Sequence, residues 1–212
     1  MSLRRLPGEE RLLAYAAGTL SPPEAVVVAT HLAMRPQSRA WTALGEAVGG
    51  AILDKVDPLA LDAGARDGLL ARLDTAAPDR TQEIVKGSDP TLPEPLRHFP
   101  LGPWRWRGPG VYSRDVLGPR DGDCRVILLR IAPGQCTPIH THGGVELTCV
   151  IEGAYATQDG VFEPGDFEEA DASITHQQRV VSPKPCLCVA ALDGQIQLPG
   201  RLGRWLAPFV RL

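Results

Sequence analysis

The chain lacks several features that would assign a protein to a class at once. Its five cysteines include no Cys-x-x-Cys pair, and their odd number disfavours a disulfide framework. It has no N-terminal signal pattern and no apolar run long enough to cross a bilayer, so we expect a cytoplasmic protein with no membrane partner. A net charge of -3 gives no indication of direct nucleic-acid binding.

Glycine and proline are plentiful instead, with 22 and 20 residues among 212, and they divide the chain into parts of different character. Residues 1–78 are rich in Ala, Leu, Val, Arg and Glu, which predicts a small helical domain. Ser21, two prolines and Glu24 form the pattern of a capping box at a helix start. The predicted helices cover residues 9–17, 25–34, 37–48 and 65–74.

A proline-rich segment, residues 79–97, separates this half from the rest and predicts an interdomain linker. Residues 98–212 alternate short β-rich runs with turn signals, which favours an all-β jelly-roll barrel. The fold class is therefore predicted as α+β. The expected strands cover residues 111–117, 124–131, 146–152, 154–157, 167–170, 175–181 and 186–192, and a short helix is expected over 201–209.

Three histidines and a glutamate in the β half predict a metal site. His140 and His142 lie two residues apart, so both side chains point to one face of a strand. A bend at Gly143–Gly144 would turn Glu146 toward the same interior, and a later strand would return with His176. The alternative is a set of hydrogen-bonded buried histidines. Three imidazoles and a carboxylate in one interior favour a divalent transition metal over that alternative.

This stretch resembles the two sequence motifs of the cupin family. Gly134, His140, His142, Glu146 and Gly153 match every spacing of the first motif. In the second motif, Gly165 and His176 match, whereas Asp171, Ser173 and Val180 replace its usual Pro, Gly and Asn. The resemblance implies a cupin barrel with one metal bound by His140, His142, Glu146 and His176. Cupins include enzymes, storage proteins and regulators, so the fold alone implies no function.

The chain as a whole resembles a narrower group, the ChrR-type anti-sigma factors, which join a helical zinc-binding domain to a cupin-like domain. The phrases that carry this resemblance span both halves of the chain. They lie at residues 13–20, 28–32, 47–50, 142–148, 164–167 and 200–209.

One departure from this group concerns the N-terminal zinc motif, His-x-x-x-Cys-x-x-Cys. His31 is present, but Arg35 and Ser38 stand at the two cysteine positions. One imidazole cannot hold structural zinc, which takes four ligands. We therefore expect no metal here and a hydrogen-bonding role for His31, at a helix end or between helices. Packing would then hold the helices, with core candidates Val27, Leu32, Trp41 and Leu44.

The group resemblance implies a negative regulator of transcription. The helical domain would bind an extracytoplasmic-function sigma factor, and the cupin domain would sense oxidative stress, as singlet oxygen or peroxide. Cys186 and Cys188 share one strand face and are candidate redox-sensing thiols, with plain packing as the alternative. Zinc is the expected metal, with iron, nickel and manganese as alternatives, and homodimer formation is left open.

The competing hypothesis is a metal-dependent cupin enzyme of the dioxygenase type. It would need an open position on the metal and a lined pocket. Tyr155, Glu168, Glu169 and Gln178 are available to line one, although their spacing selects none of them. A third hypothesis is a stand-alone sensor that has lost its sigma partner.

Overall fold

The structure is a computed structural model that describes residues 5–73 and 85–198. The predicted helix over 201–209 and the first part of the predicted linker lie outside these described residues. Within them, no helix combines the length and the apolar character needed to cross a membrane.

Four α-helices form the N-terminal half: α1 (Glu9–Ala16), α2 (Pro22–Met34), α3 (Arg39–Leu53) and α4 (Ala65–Leu73). Helix α2 begins with the predicted capping box, in which the Ser21 amide donates to the Glu24 carboxylate at 3.1 Å. Helix α3 was predicted to stop at Gly49–Gly50, and that was wrong. Glycine in a helix interior costs only about 1 kcal/mol relative to alanine, so it does not by itself end a helix.

Eleven strands of the described residues, all paired antiparallel, form three sheets. The main sheet has the order β1-β2-β3-β10-β5-β8, and smaller sheets have the orders β11-β4 and β7-β6-β9. The strands are β1 (Arg105–Gly108), β2 (Val111–Asp121), β3 (Cys124–Ile131), β4 (Thr141–His142), β5 (Glu146–Glu152), β6 (Tyr155–Thr157), β7 (Gly160–Phe162), β8 (Phe167–Ala170), β9 (Arg179–Val180), β10 (Cys186–Leu192) and β11 (Ile196–Gln197).

Several strands match their predicted bounds, because a run of β-forming residues between turn signals carries a clear pattern. Strand β2 is an exception, since it was predicted to end at residue 117 and continues to Asp121. Strands β3, β5, β8 and β10 agree to the residue. The strand predicted over 175–181 is shorter and reduces to Arg179–Val180, with an isolated bridge between His140 and His176. Strands β1, β4, β7 and β11 were missed. The last three have only two or three residues, too few to show a period of two.

The main sheet has an apolar layer on each face. On one face Val126 and Leu128 of β3 pack in the core that includes Val27 and Val28 of α2. On the other face, Leu129 and Ile131 line the barrel interior. Alternation along the strand therefore sorts its residues between a helix-facing core and a barrel core.

The proline-rich segment also contributes to the helix-facing core. From residue 85 onward it includes a short 3-10 turn, Glu94–Leu96, and Leu92 and Leu96 are buried. Its described part therefore packs against the fold, while the domain boundaries at 78 and 97 remain a prediction. Of the predicted helical core residues, Val27 and Leu32 are buried and Trp41 is partly buried. Leu44 is 52% exposed, because α1 packs on the other side of α3 at Gly45.

Candidate metal centre

The four predicted ligand residues meet inside the barrel. The backbones of His140 and His176 face each other, with N–H···O distances of 3.1 and 3.0 Å in the two directions. His142 lies in β4 and Glu146 begins β5. All four residues are buried, and one potential ligand atom from each lies within 4.8 Å of the others.

The bend at Gly143–Gly144 brings Glu146 back to the histidines. The Gly143 amide donates to the Gln195 carbonyl at 3.1 Å, and a Cβ on Gly144 would collide with the Asp193 side chain. The chain can therefore reverse tightly between β4 and β5 only with a small residue at position 144. The result places Glu146 Oε2 2.9 Å from His142 Nε2 and 3.3 Å from His176 Nε2.

The donor set fits a divalent metal ion. Glu146 Oε2 is buried and, among the described residues, has no hydrogen bond of acceptable geometry despite its close neighbours. The Nε2 atoms of His142 and His176 face each other at 3.0 Å. Two ligands on a tetrahedral zinc ion with Zn–N bonds near 2.05 Å would be about 3.3 Å apart. Three imidazoles and one carboxylate converging this closely thus offer the nitrogen and oxygen ligands that such ions take.

Hydrogen bonds behind the cluster orient two of the rings. His140 Nδ1 donates to the Pro138 carbonyl at 2.8 Å, and His176 Nδ1 faces Glu168 Oε1 at 3.2 Å. The other oxygen of Glu168 accepts a hydrogen bond from the Tyr155 hydroxyl at 2.6 Å. With both Nδ1 atoms engaged, the Nε2 atoms point at the cluster centre, as in carboxylate–histidine–metal arrangements.

Charge is balanced inside the cluster when no metal is bound. Burial by itself would raise the pKa of Glu146, but His142 and His176 hold it well below its usual value. Burial by itself would lower the pKa of His176, yet its contacts with Glu146 and Glu168 raise it to about 10. Burial lowers the pKa of His140. At neutral pH the metal-free cluster therefore holds a proton on His176, which a metal must displace.

A small cavity lies beside His140 and Glu146. Its volume is about 30 Å³, and Thr137 and Gln178 provide polar groups in an otherwise mostly apolar wall. A space of this size holds about two water molecules. Of the four residues considered for a pocket, Gln178 lines this cavity, whereas Glu169 points away, toward Arg11 of α1.

Comparisons with known proteins agree with this architecture. The family described as the ChrR cupin-like domain matches residues 100–195. The anti-sigma-E factor ChrR of Cereibacter sphaeroides is 35% identical over 215 residues, which cover all of both chains. This chain belongs to the ChrR family. A crystal structure of Rhodobacter sphaeroides SigE in complex with the anti-sigma ChrR includes a chain that superimposes on this one with a TM-score of 0.78. That match has 34% identity and covers 91% of this chain and 100% of the other.

In this member of the ChrR family, His31 and Arg35 contact the barrel, and Ser38 contacts His31. His31 is fully buried; its Nδ1 donates to the Gly165 carbonyl at 2.7 Å, and its Nε2 accepts from the Ser38 hydroxyl at 2.8 Å. Burial lowers the pKa of His31, so the ring is neutral. The predicted hydrogen-bonding role is present, although its main partner lies on the sheet and not on another helix.

The two candidate redox thiols of this ChrR-family chain lie side by side in β10. Cys186 Sγ and Cys188 Sγ are 3.6 Å apart, and both residues are buried. Its hydrogen bond with Cys186 and its burial raise the pKa of the Cys188 thiol well above its ordinary value. Because the thiolate is the reactive form, this environment favours a packing role at rest. A redox-sensing role for the pair stays a prediction.

Sequence reasoning did not select the residues behind the histidines in this ChrR-family barrel. Glu168 and Glu169 were named together without a role, and the structure separates them: Glu168 faces His176 and Glu169 faces Arg11. Alternation along the strand predicted over 167–170 could have shown that they face opposite ways. It could not have shown which of the two faces the cluster.

Proposed function

We propose that this protein is an anti-sigma factor whose helical half binds an extracytoplasmic-function sigma factor. The full-length similarity to an anti-sigma-E factor, and to a chain crystallised with SigE, supports this function. Since sigma factors act on RNA polymerase inside the cell, a cytoplasmic location follows from the same proposal.

The exposed apolar surface of the helical half is the observation in this chain that carries the proposal. Leu44, Val48 and Ile52 lie four residues apart on one face of α3 and are 52%, 52% and 63% exposed. Further exposed apolar residues follow Ile52 along the chain: Leu53, Val56, Leu59, Leu61, Leu69 and Leu70. A row of exposed apolar side chains on one helix face marks a site of protein binding.

A matched pair of substitutions tests the proposed sigma-binding surface. Val48 on α3 and Val181 on the barrel are nearly equally exposed, at 52% and 51%. Val48→Asp places a charge in the interface, so we expect it to weaken binding to the sigma factor at least tenfold, about 1.4 kcal/mol. Val181→Asp should bind like the wild type. Binding is measured by titration with sigma factors of the same cell, and wild-type binding to none of them would contradict the proposal.

We propose further that the barrel holds one divalent metal, with zinc as the expected ion and iron, nickel or manganese as the alternatives. Bound metal would neutralise Glu146 and tie the strands bearing the four ligands together. His140→Ala or His176→Ala should remove most of the bound metal, measured by elemental analysis of the purified protein. Undiminished metal in either variant would contradict the ligand assignment.

The proposed signal is oxidative stress, as singlet oxygen or peroxide, acting at the cluster. The small cavity beside His140 and Glu146 supports access by a molecule of a few atoms. The protonated state of Cys188 makes direct attack of its thiol on a peroxide slow. We therefore place the first oxidation at the ligand cluster and give Cys186 and Cys188 a later role, if any. Peptide mass spectrometry after brief oxidant exposure locates the first modified residue.

A cupin enzyme of the dioxygenase type is the second candidate, and the same cavity is the observation that favours it. Its volume of about 30 Å³ is enough for water or dioxygen, and a wider open recess of about 630 Å³ lies on the side of His176. The full-length similarity to an anti-sigma factor makes a regulator the better supported function. Oxygen consumption by the iron-loaded protein in the presence of a candidate substrate would reverse that preference.

A further inference from the structure

Strand β8 contacts both the ligand cluster and the helices. It is an edge strand of the main sheet, paired with β5. Its inward residue, Glu168, faces His176 Nδ1 at 3.2 Å. Its outward neighbour, Phe167, meets the ring of His31 edge-on, with the ring centres 5.6 Å apart. A shift of this strand would therefore change contacts on both faces of the sheet.

The other outward residue of β8 extends the contact to α1. Glu169 accepts a hydrogen bond from the Gly8 amide at 2.9 Å, and its second oxygen lies 3.2 Å from Arg11 Nε. Arg11 in turn pairs with Glu24 of α2 at 2.8 Å. The N-terminal ends of α1 and α2 are thus linked to the same strand that bears Glu168.

His31 and Arg35, at two of the zinc-motif positions, contact the turn that leads into β8. The Gly165 carbonyl accepts from His31, and Asp166, which is 3% exposed, pairs with Arg35 at 3.3 Å. Ser38 donates to the other nitrogen of His31. These five residues are hereafter called the clamp. Its polar contacts cross the helix–barrel boundary and are buried at His31, Ser38 and Asp166 and partly exposed at Arg35.

The clamp is closely packed at Gly165. This residue has φ +85°, and a Cβ built on it would lie 2.5 Å from Arg35 Nε. Only glycine both adopts that backbone conformation readily and leaves room for the guanidinium. Movement of the turn would therefore disturb the Arg35 side chain, at the C-terminal end of α2.

We propose that the clamp is the mechanical connection through which the state of the metal cluster reaches the sigma-binding helices. This rests on the proposed function. A change at His176 displaces Glu168, β8 moves, and the Gly165–Asp166 turn shifts His31 on α2 and Arg35 at the end of that helix. Hydrogen bonds and an ion pair at positions 31, 35 and 38 thus join the helices to the barrel.

The test uses full-length protein in zinc-loaded and chelator-stripped forms. The clamp variant is Arg35→Met with Ser38→Ala, and the control is Arg179→Met with Ser173→Ala on the exposed barrel surface. Hydrogen exchange of the α2 amides and affinity for the sigma factor are measured in each form. Zinc content is checked by elemental analysis.

For the wild type and the control, we expect zinc removal to speed α2 exchange and to weaken sigma binding about tenfold, a common size for coupling between sites. In the clamp variant, both responses should shrink below about twofold while zinc content stays equal. The connection is refuted if zinc removal changes α2 exchange and sigma binding of the clamp variant as much as those of the wild type. It is also refuted if zinc removal leaves α2 exchange of the wild type unchanged. If the double variant does not fold, Ser38→Ala alone is compared with Ser173→Ala by the same criteria.

The failure of the proposed function is visible separately. If α2 exchange responds to zinc through the clamp but no sigma factor binds any form, the connection stands and the anti-sigma function fails. If the sigma factor binds and α2 exchange does not change on zinc removal, the anti-sigma function stands and the connection fails.

Discussion

Replacing Glu168 by glutamine is the sharpest test of how the metal centre is built. Glu168 faces His176 Nδ1 at 3.2 Å with one oxygen and accepts from Tyr155 at 2.6 Å with the other. Glutamine keeps the size but loses the charge, and its NH2 group faces either the Tyr155 hydroxyl or the ring N–H. The adjacent Glu169→Gln is the matched control, since its carboxylate points to Arg11 on the opposite face of the strand.

Two effects of opposite sign set the size of the change. Loss of a carboxylate behind a metal-binding histidine typically weakens metal affinity 10- to 100-fold. Glu168 also helps to raise the pKa of His176 to about 10, so a proton competes with the metal at pH 7 by about a thousandfold. Glu168→Gln lowers that pKa and relieves part of this competition. We therefore expect about a tenfold loss of affinity at pH 7 and about a hundredfold loss at pH 10.

The assay is a competition titration of the metal-free protein against a chromophoric zinc chelator, repeated across that pH range. Far-ultraviolet circular dichroism verifies that each variant is folded. Wild-type affinity for Glu168→Gln at both pH values would refute the role of Glu168. An equal loss for Glu169→Gln would refute the assignment of the two faces of β8.

Three further outcomes are expected. Zinc affinity of the wild type should fall about tenfold for each pH unit between 9 and 7, because zinc must displace a proton from His176, whose pKa is raised to about 10. A flat profile in the same titration would contradict this. His31→Ala should lower the free energy of unfolding, measured in urea, by about 3 kcal/mol, because it removes two buried hydrogen bonds and leaves a cavity. The control His98→Ala, at an exposed residue, should change it by less than about 0.5 kcal/mol, and equal effects would rule out the buried contact. Tyr155→Phe removes the 2.6 Å hydrogen bond that Glu168 accepts, and it should weaken zinc binding by less than Glu168→Gln does. A larger loss than that of Glu168→Gln would contradict an indirect role of Tyr155 through Glu168.

Local chemistry made much of the protein predictable from the sequence. The capping box at Ser21 and the seven- to eight-residue strands β3, β5 and β10 follow from short-range patterns that tertiary packing did not override. The spacing of His140, His142 and Glu146 predicted a shared interior because strand alternation and a glycine bend determine where those side chains point. Arg and Ser at positions 35 and 38 likewise predicted a hydrogen-bonding role for His31, which bonds the Gly165 carbonyl and Ser38.

Tertiary structure alone decided how the two halves of the chain meet. Nothing near Gly165 in the sequence indicates that its carbonyl accepts from His31, 134 positions away. Nor could alternation tell which of Glu168 and Glu169 faces the cluster, since that depends on which side of the sheet α2 covers. A one-dimensional pattern gives the period of a strand but not its neighbours. The candidate ligands could therefore be identified from the sequence, whereas the contacts that connect them to the helices exist only in the folded chain.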